Sequence, residues 1–254
     1  ASMDILQLVR SLEEFLYEAM TWLLFFPRTF WRVITRPMTL AAEADAELGE
    51  GLERQFTNLI SPPLFLMMCV LIAHIFEVSM HLGVRKFSSP LAKDIFSSDA
   101  RLLIFRSVTF SLYPLLMARG TLVRQGVAVD RTTLRRPFFL QCYLAGPLAL
   151  TTSLCFDMLR VPEPPWELSG TLIGLAGGLW YLAAEGQWFH VRVGAPRLRA
   201  YFVALKLMLG GTACGFVIAL AVFAPDLSRS LLAARDNTPM GAAVSTVRRI
   251  ETMP

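Results

Sequence analysis

Charged residues are scarce in this chain of 254 residues. They make up 17% of the composition, against about 25% in an average soluble domain. Hydrophobic residues make up 54%, and the mean hydropathy is +0.50. So few charges among so many apolar residues would be unusual in a soluble domain, and the composition therefore indicates a membrane protein.

Lysine is almost missing, because the 24 basic residues comprise 21 arginines and 3 lysines. Such a bias is typical of a GC-rich genome and favours a bacterial source. A nucleic-acid site would gather the arginines on one soluble face with aromatic residues between them. Here they stand at the ends of apolar runs instead, so we expect no nucleic-acid partner.

Motifs of catalysis and of cofactor binding are also missing. The chain contains no G-x-S-x-G, H-E-x-x-H, Walker or G-x-G-x-x-G pattern, and it has 3 histidines in all. Its four cysteines show no metal-ligand or disulfide spacing and are expected to be small buried hydrophobes: Cys69, Cys142, Cys155 and Cys214. We therefore expect no cofactor, no metal site and a protein that is not an enzyme.

Five apolar runs are candidates for membrane spans. They cover about 61–83, 102–118, 138–159, 168–189 and 200–223. The predicted fold is an all-α integral membrane protein with a five-span bundle over 61–224. Amphipathic interfacial helices and an acidic cytoplasmic helix are expected over 1–60, and an extramembrane tail over 225–254.

The amino-terminal region has the pattern of a helix lying in the membrane interface. Between residues 4 and 36, acidic side chains fall on one side and Leu, Phe, Tyr and Trp on the other. The arginines at 28, 32 and 36 follow a spacing of four and predict a basic stripe facing lipid headgroups: Arg28, Arg32 and Arg36. The acidic segment 41–53 is interpreted as a solvated helix face.

The arginines also predict the orientation. Loops after the second and fourth spans are rich in arginine and are expected to be cytoplasmic. The amino terminus then lies on the cytoplasmic side and the carboxy terminus outside, in a bacterial inner membrane.

Ionisable residues within the first span are its most informative feature. Ser61–Gly83 carries His74, Glu77 and His81, which fall on one side of a helix. Charges inside a span are costly and need a partner or a function. Arg106 in the next span matches the depth of Glu77, so these residues predict either an ion pair or a proton-accessible polar track. A metal site is not expected, since His81 is nearly two turns from His74.

A second pair is predicted in the same way. Glu185 near the end of the fourth span and Lys206 near the start of the fifth are matched in depth. The ion pairs could simply neutralise each other and set helix rotation. An intramembrane lipid-modifying enzyme stays open as an alternative, with Asp157 or Glu185 at the floor of its site.

Small residues at spacing four predict close helix packing in lipid. They occur in the fourth and fifth spans: Gly170, Gly174, Gly178, Gly211 and Gly215. Such faces serve contacts within one bundle or between subunits equally well.

The order of the sequence elements along the chain resembles that of a known group of proteins. The elements FPRTFWRVITRP and FTNLISPPLFLMMCVLIAH, within 26–83, resemble bacterial Yip1-like and related small permease-like families. The resemblance implies a five-helix bundle with a cytoplasmic amino terminus and a role in membrane organisation or transport. It implies no catalytic residues.

The expected function is that of a non-enzymatic permease-like or accessory subunit of a membrane oligomer or larger membrane complex. The expected partners are membrane lipids and either further copies of the chain or other membrane subunits. The alternative is a proton-coupled transporter or channel that uses His74, Glu77 and Arg106.

Overall fold

The computed structural model describes residues 2–49, 56, 59–82 and 89–236. These residues form nine α-helices and no β-strand, which confirms the all-α class. The helices are α1 (Ser2–Thr35), α2 (Pro37–Glu47), α3 (Pro62–Ser79), α4 (Pro90–Phe96), α5 (Asp99–Phe110), α6 (Leu112–Arg124), α7 (Arg131–Met158), α8 (Pro164–Val193) and α9 (Arg197–Asp236).

Local sequence signals begin and end these helices. Proline lies in the first turn of α2, α3, α4 and α8. No residue in the first turn has an intrahelical acceptor for its N–H, so the absence of an N–H in proline breaks no hydrogen bond there. Helix α7 begins with a capping box. The Asp130 carboxylate accepts from the N–H of Thr133 at 2.9 Å, and the Thr133 hydroxyl accepts from the N–H of Asp130 at 3.0 Å. Helix α8 ends at Gly194, whose φ of 69° suits a residue without a Cβ.

Within the described residues, four helical segments are long and apolar enough to cross a membrane. They are Pro62–Ser79, Asp99–Arg124, Arg131–Met158 and Arg197–Ala224. Helix α8, the fourth of the five predicted spans, is not among them, because its Gly, Trp, Tyr and Glu residues lower its hydropathy. It is nevertheless a continuous helix of 30 residues, and the five-span count stays a prediction.

The second span has different bounds from those expected. Helices α5 and α6 follow each other through Ser111 and together cover 26 residues, Asp99–Arg124, instead of 102–118. Pro114 explains the interruption, since it has no N–H for the carbonyl of Phe110 and its ring crowds that carbonyl.

Helix α7 is the centre of the bundle. Of its most apolar stretch, 61% is buried within the protein, compared with 11% for α9. Helices α3, α6 and α8 surround α7, and α9 packs on α8 and α6. Most of α9 therefore faces away from the bundle, as a helix at a lipid boundary must.

Helix α1 joins the bundle through the half that follows Met20. The ring of Phe65 on α3 lies 5.4 Å from that of Phe26 on α1 and 5.5 Å from that of Tyr143 on α7. The indole of Trp180 on α8 also donates a hydrogen bond to the carbonyl of Ile34 at 3.1 Å. These contacts attach α1 to α3 and α8.

The first half of α1 is uncovered. Among the side chains described between residues 10 and 20, all but Ala19 are exposed. The expected interfacial helix is part of a single helix of 34 residues. This helix is docked after Met20, and before that point nearly all of its described side chains are exposed.

The glycines of α8 pack closely on α7. A Cβ at Gly170 would lie 2.8 Å from the Cβ of Met158, and one at Gly174 would lie 2.8 Å from the sulfur of Cys155. Gly177 meets Thr151 just as closely. These glycines allow the two helix backbones to approach where any side chain would hold them apart.

The other predicted glycines differ among themselves. A Cβ at Gly211 would lie 2.9 Å from the ring of Tyr113. At Gly178 and Gly215 the nearest atoms are 3.7 and 3.9 Å away, which is ordinary van der Waals contact. Close packing thus depends on Gly170, Gly174 and Gly211, and not on every glycine of the predicted stripe.

The segment of α9 that is apolar enough to cross a membrane ends at Ala224, next to the predicted span end at 223, and the helix itself continues to Asp236. The rest of the predicted tail, 237–254, lies outside the described residues. Cys214 on α9 is exposed and not a buried hydrophobe, because α9 turns that side outward.

Candidate functional site

Polar side chains gather at the end of the bundle where α3 and α7 end and α5 begins. Glu77, close to the end of α3, binds one arginine with each carboxylate oxygen. The Oε2 atom accepts from Nη2 of Arg106 on α5 at 2.7 Å, and Oε1 accepts from Nη1 of Arg160 after α7 at 2.7 Å. Only 12% of the Glu77 side chain is exposed. One carboxylate therefore fastens three helices together.

His74 lies one turn before Glu77 and is buried, with 6% of the residue exposed. Its Nδ1 is 3.6 Å from Oε2 of Glu77, and its Nε2 is 3.4 Å from Oδ1 of Asp99 at the start of α5. Neither ring nitrogen forms a hydrogen bond within the described part of the chain. Because imidazole is charged only when protonated, a proton on His74 would create one further ion pair within α3, with Glu77, and one between α3 and α5, with Asp99.

Asp157 completes the group, which we call the Glu77 cluster: His74, Glu77, Asp99, Arg106, Asp157 and Arg160. Asp157 is 3% exposed, and its Oδ1 lies 3.6 Å from Nη1 of Arg160. Its Oδ2 and Nη1 of Arg106 are buried without a hydrogen bond among the described residues. The cluster combines three carboxylates with two guanidinium groups and one imidazole.

His81 does not belong to the cluster. Helix α3 ends at Ser79, and His81 lies beyond it with φ of 52° and an exposed side chain. The predicted stripe of three residues assumed a helix as far as 83. The left-handed turn at His81 ends that periodicity, so only His74 and Glu77 share a face.

Two members of the cluster, Asp99 and Arg160, were not singled out from the sequence. Arg160 follows Asp157 by three residues at the end of an apolar run, which is a weak signal. Its contact with Glu77 spans 83 residues and depends on α3 packing against α7. A comparison of neighbouring spans alone could not find it.

Glu185 and Lys206 are not brought together, so the second predicted ion pair is wrong. Glu185 is fully buried, and its Oε2 accepts from the amide of Gln141 on α7 at 3.2 Å. Lys206 is exposed. Ala204 is the residue of α9 that is buried in the core, and a side chain two positions later points about 200° around the helix.

Some buried polar atoms around Glu185 lack a full hydrogen bond within the described residues. The Oε1 atom of Gln141 forms no hydrogen bond with any described residue. The Tyr181 hydroxyl interacts with the Glu185 carboxylate, but not in the geometry of a full hydrogen bond. Tyr181 precedes Glu185 by one turn of α8 and is also fully buried. A buried carboxylate without a full set of hydrogen bonds is costly.

A second polar site lies at the opposite end of the bundle, where α6 and α8 end and α7 begins. Asp45 on α2 accepts from Nε of Arg136 at 2.5 Å and from Nη1 of Arg192 at 2.8 Å. Arg136 also donates from Nη2 to the carbonyl of Asp45 at 2.5 Å. Asp45 thus ties the acidic helix α2, expected to be merely solvated, to α7 and α8.

These residues border a cavity of about 390 Å³, which we call the Asp45 cleft. Its floor includes Trp188, whose Nε1 donates to the hydroxyl of Thr121 at 3.1 Å. The guanidinium of Arg192 lies 5.1 Å from the centre of a Trp188 ring. Glu185 does not line the cleft.

Asp130, at the start of α7 and outside the candidate spans, is charged at neutral pH. Its pKa is lowered from 3.8 to about 2, chiefly by the hydroxyl of Thr132 and then by the N–H groups of Thr133 and Thr132. This carboxylate caps its own helix, so its charge is already engaged.

The predicted headgroup stripe is only partly continuous. Arg28 and Arg36 are exposed, but Arg32 pairs with Glu43 of α2. Arg36 lies between α1 and α2 with φ of −140° and ψ of 58°, so the chain leaves the helix before the third arginine. Its i+8 spacing does not place it on the face of Arg28.

Among the described residues, no group of three or more His, Cys, Asp or Glu side chains could hold a metal ion. In the Glu77 cluster the two arginines occupy both oxygens of the Glu77 carboxylate.

The chain matches no known family, no curated protein and no solved structure in comparisons with all three. The resemblance to Yip1-like proteins therefore stays a prediction.

Proposed function

We propose that this chain is a non-enzymatic permease-like or accessory subunit of a membrane oligomer or larger membrane complex. The observation that supports this most is the closed interior of the bundle. The Glu77 cluster at one end and the Asp45 cleft at the other are separated by packed side chains, including Phe65, Tyr143 and Tyr181. Ion pairs between helices hold both ends, and a structural role suits that arrangement.

The outer surface of the bundle has exposed apolar faces, which support a position in the membrane and contact with a partner protein. On α8, Leu168, Leu172, Leu175 and Leu179 follow one face and are 56–67% exposed. On α9, Phe216 is 64% exposed, and the uncovered half of α1 includes Tyr17 at 73%. Apolar faces of this extent require lipid or another protein chain.

Photo-crosslinking in native membranes tests the proposal. A photoreactive residue at Tyr17, Leu175 or Phe216 should join the chain to a second polypeptide at one or more of these positions. Phe189, which is fully buried, is the matched control and should give no such product. Lipid adducts alone at all three exposed positions, together with the mass of a single 28.4 kDa chain in mild detergent, would contradict a subunit role.

Proton-coupled transport is the second candidate. It is favoured by the full burial of Glu185, whose carboxylate faces the neutral side chains of Gln141 and Tyr181. In proteoliposomes, Glu185→Gln and Glu77→Gln variants that fold normally should then remove the pH dependence of flux. Normal pH-dependent flux in both variants would exclude these carboxylates from the mechanism.

The lipid-modifying alternative has less support. It needs Asp157 or Glu185 at the floor of an opening, but Glu185 is fully buried and does not line the Asp45 cleft. Asp157 is engaged by Arg160 in the Glu77 cluster.

A further inference from the structure

The Asp45 cleft carries an excess of positive charge. A single carboxylate, that of Asp45, stands between the guanidinium groups of Arg136 and Arg192. The nearby Asp130 carboxylate is engaged by its own helix. Two cations and one anion leave the cleft with one net positive charge, which an anionic ligand could balance.

Free donors remain on both arginines. Arginine has five N–H groups, and within the described residues Arg192 donates from Nη1 alone. Arg136 uses Nε and Nη2 on Asp45 and keeps its Nη1. Guanidinium groups match the oxygens of a phosphate in spacing and charge, and such hydrogen bonds are among the strongest in proteins.

The donors are held in place before any ligand arrives. The Trp188 ring lies against the Arg192 guanidinium, and the amide of Gln125 on the far rim donates to the carbonyl of Arg192 at 3.0 Å. Arg136 is fixed by two hydrogen bonds to Asp45. A ligand therefore need not order these side chains, which lowers the entropy cost of binding.

The shape and place of the cleft suit an amphiphile. Its volume of about 390 Å³ falls within the range of small-molecule sites. Gln125 and Thr133 supply polar lining, while Leu122, Leu140 and Trp188 supply apolar lining. The cleft lies where the candidate spans end, at headgroup depth, on the side predicted to be cytoplasmic. Basic pockets between helices on that side are favourable sites for anionic headgroups.

We propose that the Asp45 cleft binds the phosphate group of a phosphorylated ligand through Arg136 and Arg192. The phosphate belongs either to the headgroup of an anionic lipid or to a soluble phosphate monoester. Both sources share the same chemistry at the two guanidinium groups and differ in whether an acyl chain extends from the cleft.

Two matched ligand pairs separate the sources. Phosphatidic acid and diacylglycerol with the same acyl chains differ only in the phosphate, and glycerol 3-phosphate and glycerol form the soluble pair. Binding to the purified full chain in mild detergent is measured by native mass spectrometry and by the shift in melting temperature. Preference for phosphatidic acid with no response to glycerol 3-phosphate identifies a lipid, and a response to glycerol 3-phosphate identifies a soluble ligand.

Variants locate the site. Arg192→Gln should weaken binding about tenfold or more, as the loss of a charge-assisted hydrogen bond predicts. Arg135→Gln removes one positive charge from the same end of the bundle, but Arg135 lies over the Phe139 ring and not in the cleft. The Arg135→Gln protein should therefore bind normally. Val127→Trp should fill the cleft from its exposed rim and block binding while all three charged partners remain.

Three results would overturn the proposal. They are equal responses to the phosphorylated and unphosphorylated ligand of both pairs, an Arg135→Gln effect as large as that of Arg192→Gln, and full binding by a folded Val127→Trp protein. Because Val127→Trp leaves the Asp45 ion pairs intact, a folding defect in Arg192→Gln does not prevent a decision.

Discussion

Glu77 and Arg160 lie 83 residues apart in the sequence and form an ion pair of 2.7 Å. The pair joins the end of α3 to the turn after α7, the two helices that form the centre of the bundle. Arg106 occupies the other oxygen of the same carboxylate, so each arginine can partly replace the other.

The first prediction follows from this shared carboxylate. Arg106→Ala and Arg160→Ala should each lower stability modestly, because Glu77 keeps one cation. The double variant should lose about 3–5 kcal/mol, the cost of leaving a buried charge without a partner, and more than the two single losses combined. Thermal unfolding in mild detergent measures these differences.

Adding Glu77→Gln to the double variant is the control for the first prediction. Since it removes the orphaned charge, it should recover much of the lost stability. Strictly additive single losses, or no recovery in the triple variant, would show that the three side chains do not act as one unit.

The second prediction compares two glycines. Gly170→Ala should destabilise the protein by about 1–3 kcal/mol through overpacking, because the new Cβ meets the Cβ of Met158 and the carbonyl of Cys155 at 2.8 and 3.1 Å. Gly215→Ala, with its nearest contact at 3.9 Å from Thr109, should be neutral or slightly stabilising. Equal melting temperatures for the two variants would mean that α8 and α7 can move apart at no cost.

The third prediction concerns orientation. A cysteine at Thr132 and one at Glu163 would lie at opposite ends of α7, and both positions are exposed. An impermeant thiol reagent applied to intact cells should label position 163 and spare position 132, with the unsubstituted protein as background. Labelling at 132 and protection at 163 would reverse the orientation predicted from the arginines.

The fourth prediction is a pH dependence at the start of α7. The folded pKa of Asp130 is about 2, below its ordinary 3.8, so its charged form is favoured by folding. Its contribution is therefore complete above about pH 4 and is lost as the pH falls toward 2. The melting temperature of the native protein should exceed that of Asp130→Asn at pH 6, and the gap should shrink between pH 4 and pH 2. A gap that stays constant over this range would exclude titration of the cap.

Part of the fold could be predicted because its signals are local. Hydropathy and composition predict an all-helical chain, and the described residues are helical with four segments apolar enough to cross a membrane. Glu77 and Arg106 could be matched in depth because the first and second predicted spans follow each other along the chain. The structure places these two side chains in contact.

Other predictions failed where rotation or a helix end mattered. Glu185 and Lys206 are comparable in depth, yet Lys206 is exposed while Glu185 is buried. Depth depends on position along the chain, but the direction of a side chain depends on which face of the helix is packed. The prediction that His81 shares the face of His74 and Glu77 was wrong for a simpler reason, because the helix ends before His81.

The sequence by itself determined the helical class, the apolar segments and the places where Pro, Gly and capping residues begin or end helices, because these depend on neighbours within a few positions. Only the tertiary structure decided that Asp45 meets Arg136 and Arg192, 91 and 147 residues away. It also decided that Glu77 meets Arg160. Such contacts depend on which helices pack together and at what rotation, and one sequence contains no local signal for either.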